Sequence, residues 1–117
     1  MNFQPTSLEI EAQGQATFGM ANLRSERTGL PFVVFISQKD GARHDVRVKV
    51  SASPKVRSDQ MGSYAARPYR HTDGLRLNPS EEHLLGLWIE KNIDVLLQYW
   101  NGDIEYTEDA VERIGKI

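Results

Sequence analysis

The 117-residue chain contains no cysteine. That absence excludes a disulfide scaffold, a thiolate zinc site and a cysteine nucleophile, and it fits a reducing compartment. Long apolar runs are missing too. The longest, Leu30 to Ile36, falls far short of the roughly 20 residues a membrane-spanning helix requires. The stretch "MNFQPTSLEIEA" has no cationic region followed by an apolar core, so no signal peptide is expected and the chain reads as cytoplasmic. Glycine is spread thinly: Gly29, Gly41, Gly62 and Gly74 sit at turns, without the strand-to-helix context of a phosphate cradle. Nothing assigns a catalytic or metal-ligating residue, and no cofactor is expected.

What is present fits one folded domain. Hydrophobic content of 39% and charged content of 26% lie in the globular range. A chain of this length buries about two thirds of its unfolded surface. The formal net charge of −2 conceals a segregation. Residues 39–76 sum to +5 and residues 80–117 to −6. The basic middle therefore faces either an external anion or this chain's own acidic part.

Leu8, Ile10 and Ala12 alternate with Glu9 and Glu11, and Ala16, Phe18 and Met20 resume the alternation after Gln13-Gly14-Gln15. This reads as a hairpin of half-buried strands. "RSERTG" is a polar connection, and "PFVVFIS" is the strongest strand signal. Asp40-Gly41 marks a hairpin turn. In "RHDVRVKV", Val46, Val48 and Val50 point to one face, while Asp45, Arg47 and Lys49 point to the other. From Ala52 to Leu77 no period holds, so the pattern predicts a long basic loop with a short strand near Leu75–Leu77 as its ordered alternative.

Asn78-Pro79-Ser80-Glu81 reads as an N-cap, a first-turn proline and a capping-box glutamate. A helix over 79–100 follows, with Leu85, Trp88, Ile89, Asn92, Ile93, Leu96 and Trp100 on one stripe and Asn101-Gly102 as the stop. Asn92 with Asp94 suggests a kink. Leu84, Leu87 and Leu97 widen the apolar arc and predict self-association through the Trp88/Trp100 helix. Thr107 caps a final short helix carrying Ala110, Val111 and Ile114. The expected architecture is α+β: about four antiparallel strands in meander order over 8–51, a basic loop over 52–77 and an acidic helical part over 79–117.

"FVVFISQKDGARHDVRVKV" followed by "LWIEKNIDVLLQYWNG" resembles an uncharacterised bacterial family of small domains of unknown function. Its members read strand, a "PPHxHV" turn, strand, then a helix with "W…N…LL…W". The similarity covers Pro31 to Gly102. In the turn only His44 matches, and Lys39-Asp40-Gly41-Ala42 stands where prolines and a further histidine belong. The resemblance implies a protein or nucleic-acid partner, as in toxin–antitoxin-like gene pairs, rather than a substrate.

The candidate binding surface is basic and aromatic: Arg47, Lys49, Lys55, Arg57, Tyr64, Arg67, Tyr69, Arg70 and His71. Cations attract phosphates by charge and counterion release, and aromatic rings stack on unpaired bases. The plainer reading makes Arg47 and Lys49 a solvated strand face opposite Glu9 and Glu11. A competing enzyme reading is RNA cleavage, with His71 as base and Arg67 or Arg70 stabilising the phosphorane. His44-Asp45, His71 with Asp73, and His83 near Glu81 add acid–base pairs that composition alone would supply. Convergence of the cations and His71 on a concave site favours chemistry, and a flat band favours binding.

Overall fold

The computed structural model describes residues 16–17, 20–51 and 60–117. Alternating valines produce β4 (Arg47–Ser51), in which Val48 and Val50 are fully buried while Lys49 is exposed. Preceding it are β1 (Ala16–Thr17), β2 (Met20–Leu23), a one-turn helix α1 (Ser25–Thr28) and β3 (Val33–Ile36). Following it are β5 (Met61–Ala66), β6 (Tyr69–Gly74), the long helix α2 (Pro79–Trp100) and α3 (Thr107–Arg113). The six strands form one antiparallel sheet in meander order, β1-β2-β3-β4-β5-β6. The α+β class, the meander and both C-terminal helices match the sequence reading, and the strand count exceeds it.

Two expectations for the sheet change. Ala16 to Met20 is not one strand, because β1 folds back on β2 with Ala16 facing Ala21 and Thr17 facing Met20. The described part of the expected loop, residues 60–77, is chiefly strand, because β5 and β6 form a hairpin separated only by Arg67 and Pro68, whose peptide bond is cis. Residues 75–77, the expected short strand, carry no strand assignment. Small residues hid the hairpin. Gly62, Ser63, Ala65 and Ala66 replace the branched side chains that advertise a strand. A bulge between Ser63 and Tyr64 also breaks the period of two. Gly62 is needed here, since a Cβ on it would lie 2.0 Å from the Leu75 carbonyl oxygen.

The Asp40-Gly41 turn behaves as its sequence predicts. Both residues have positive φ, 43° and 80°, and the Ala42 N–H donates to the Lys39 carbonyl at 2.8 Å. The connection as a whole is longer, running from the end of β3 to Arg47.

Helix α2 starts where the capping box places it. Asn78 Oδ1 accepts the Glu81 N–H at 2.8 Å, and Glu81 Oε1 accepts the Asn78 N–H at 3.1 Å. Its stripe of Leu85, Trp88, Ile89, Leu96 and Trp100 packs on Leu23, Val34, Ile36, Val48 and Val50 to form the main core. The helix runs unbroken through Asn92, whose buried amide serves a tertiary role instead of a kink. Asn92 Nδ2 donates to the Trp88 carbonyl at 2.9 Å and to the Gly115 carbonyl at 3.0 Å, while Oδ1 accepts the Gly115 N–H at 2.6 Å. The N-cap position of α3 is Tyr106, which makes no side-chain capping bond, and the Thr107 hydroxyl instead meets Tyr99 Oη at 2.8 Å. The opposite sheet face carries a second cluster, Met20, Val33 and Phe35 with Met61.

Candidate functional site

Strand register sorts the predicted binding residues onto two faces. Arg47 lies opposite Ala65 and Ala65 opposite Arg70, so both arginines project from the face away from α2. Lys49 lies opposite Ser63 and Ser63 opposite Asp73 on that same face. Adjacent strands are about 4.8 Å apart, which sets Arg47 and Arg70 about 10 Å from each other. Among the described residues no carboxylate lies within ion-pair distance of Arg47, Lys49 or Arg70. The Ser63 hydroxyl, between Lys49 and Asp73 in the register, is buried without a hydrogen-bond partner. Lys55 and Arg57 lie outside the described residues, as do Glu9 and Glu11.

Arg67 is committed elsewhere. Its Nε and Nη2 donate to the two Asp45 carboxylate oxygens at 2.6 and 3.2 Å, a forked pair tying the β5–β6 turn to the start of β4. The hydrogen bond from Arg67 holds the Asp45 carboxyl below its ordinary value and raises Arg67 in turn. Both side chains are about half exposed, so the pair is a positioning device of modest energy. His44 stacks on Trp100 with ring centroids 5.5 Å apart, which gives the single matching turn histidine a packing role.

Tyr64, Tyr69 and His71 face the helix, not the cations. Tyr64 is 1% exposed, so its ring offers no stacking platform to a nucleobase. Its hydroxyl donates to Glu82 Oε2 at 2.6 Å and accepts the Leu77 N–H at 2.9 Å. Arg76 Nε donates to the same Glu82 oxygen at 3.0 Å, and the Tyr69 hydroxyl donates to the Glu82 carbonyl. His71 packs edge-on against Tyr64 at 5.1 Å, with Nε2 at 3.1 Å from the Gly74 carbonyl oxygen. Burial, then the Glu82 carboxylate, pushes the Tyr64 phenol up to about 12. Burial also raises Tyr69, and the Tyr64 hydrogen bond holds Glu82 below its ordinary value. This junction fastens the hairpin to the start of α2. One basic residue of the middle, Arg76, therefore does meet this chain's own acidic part.

An open groove of about 470 Å³ lies beside that junction. Its floor is Ala66, Tyr69, Gly86 and Ile89, and its rim includes His83, Leu87 and Glu90. Gly86 lets the Tyr69 ring lie on the helix, since a Cβ there would be 2.9 Å from Tyr69 Cε2. Trp88 and Trp100 are 0% and 4% exposed and belong to the core, whereas Leu87 on the outer side of α2 is 44% exposed.

Two site features were not singled out from sequence. Ser63 sits in a run of small residues that advertises nothing, and Gly86 is one glycine inside a strong helical stripe. Among the described residues no group of three metal-ligating side chains occurs, and no helix is long and apolar enough to cross a membrane. No family model matches the chain, and no curated protein or solved structure matches it either.

Proposed function

We propose that this chain is a non-enzymatic binding module whose sheet face carries an anionic stretch of a protein or nucleic-acid partner. The observation that supports it is the register Arg47–Ala65–Arg70 beside Lys49–Ser63. Three cations without carboxylate partners among the described residues share one sheet face, with the buried Ser63 hydroxyl between Lys49 and Asp73. Desolvating unpaired guanidinium groups is favourable only against an opposing charge, so such a face selects an anion. The placement of His71 favours binding over RNA cleavage. Its ring packs against Tyr64 on the helix-facing side, whereas Arg70 projects from the other side and Arg67 is held by Asp45.

A titration of labelled single-stranded RNA and of polyglutamate against three proteins tests this. The wild type binds at least one polyanion, the Arg47→Ala/Lys49→Ala/Arg70→Ala variant loses about tenfold or more in affinity, and His71→Ala binds like wild type. Equal binding by the triple variant, or RNA cleavage abolished by His71→Ala, overturns the proposal.

A further inference from the structure

The outward face of α2 carries a pattern that is complementary to itself. His83, Gly86, Leu87 and Glu90 follow one another at spacings of three, one and three, which places them on one side of the helix. They line the groove next to the β5–β6 turn. Leu87 is exposed and projects beside a notch left by Gly86, whose floor is the Tyr69 ring. A glycine inside a helix is unfavourable relative to alanine. The Tyr69 contact explains the missing Cβ, and ring and glycine together line the groove.

We propose that this groove is the interface of a two-fold homodimer in which α2 packs antiparallel against α2 of a second copy. An antiparallel pair centred on the Gly86–Leu87 peptide matches each position with the one equally far on the other side of that centre. Leu87 of one copy then packs on the groove lined by Gly86 and the Tyr69 ring of the other, and the reverse contact repeats it. His83 faces Glu90 of the second copy, again twice, setting an imidazole N–H opposite a carboxylate. Shape and charge are thus satisfied by the same operation, as an isologous interface requires. A different partner would have to supply both an apolar knob and the matching order of donor and acceptor; the chain already contains both. The expected self-association thus rests on Leu87 of the widened apolar arc, while Trp88 and Trp100 stay in the core. The surface lies across the sheet from the cationic face, so the dimer and anion binding stand or fall separately.

Sedimentation velocity over a wide concentration range tests the dimer with the full chain. The wild-type mass rises from 13.3 kDa toward twice that value as concentration increases. Leu87→Asp, at an exposed position where folding is preserved, stays at the single-chain mass. His83→Glu places carboxylates opposite carboxylates and raises the midpoint concentration about tenfold or more, and adding Glu90→Lys restores it. A wild type that keeps the single-chain mass throughout overturns the proposal and leaves the groove to another occupant. Wild-type association in Leu87→Asp, or no loss in His83→Glu, overturns it equally.

Discussion

Asn92 and Gly115 are joined by a two-bond clamp: the Asn92 amide both donates to and accepts from the Gly115 backbone, at 3.0 and 2.6 Å. It fastens the segment after α3 to the middle of α2, 23 residues away in sequence. Lys91 Nζ adds a bond to the Lys116 carbonyl at 2.8 Å, and the Ile117 N–H donates to the Thr28 carbonyl at 3.0 Å. One buried amide thus organises the junction of α2, α1 and residues 114–117. Asn92→Leu keeps the branching at Cγ and loses both bonds, leaving the Gly115 N–H and C=O without their partner. A loss of about 2 kcal/mol is expected in urea unfolding, with faster amide exchange at Gly115.

Tyr64→Phe tests the hairpin–helix junction. The substitution keeps the buried ring, strands the buried Leu77 N–H and leaves the Glu82 carboxylate to Arg76 alone. A cost of about 1–3 kcal/mol is expected from chemical denaturation. A variant as stable as wild type would show that the junction contributes no net stabilisation.

The same junction sets two pH limits of opposite sign. Glu82 is held below its ordinary 4.5 in the folded chain, so its contribution is present above that value and is lost as pH falls through the lower folded one. Tyr64 is raised from 10.0 to about 12, so its contribution is complete below 10 and is lost as pH climbs toward 12. Thermal melts across both windows should show Glu82→Gln flattening the acid limb and Tyr64→Phe flattening the alkaline one. Unchanged limbs in both variants would remove the coupling.

Gly62→Ala probes the hairpin that small residues concealed. Its new Cβ would meet the Leu75 carbonyl at 2.0 Å, a backbone atom that cannot swing aside. A destabilisation of about 1–3 kcal/mol is expected, seen as a lower urea midpoint with an unchanged slope.

Legibility in the sequence followed the strength of the local signal. Val46, Val48 and Val50 alternate without interruption, and Asn78 with Glu81 caps α2 by local hydrogen bonds, so β4 and the helix start were readable. The β5–β6 hairpin was not, because Gly62, Ser63 and Ala65 are held by neighbouring strands rather than by intrinsic preference, and the bulge shifts their period. Asn92 looked like a helix breaker because its partner, Gly115, is distant in sequence. The cations of the site were identified, but their grouping was not. Register alone separates Arg47, Lys49 and Arg70 from Tyr64 and His71, and register depends on where the unseen hairpin turns.

The most direct test of the binding face is the salt dependence of single-stranded RNA association. Three cations meeting phosphates predict a slope of about −2 in log affinity against log salt, and each alanine substitution at Arg47, Lys49 or Arg70 should lower its magnitude by about 0.7. For a polyglutamate partner the same three substitutions should remove the salt dependence. Association that is insensitive to salt, or a slope the three substitutions leave unchanged, contradicts the account.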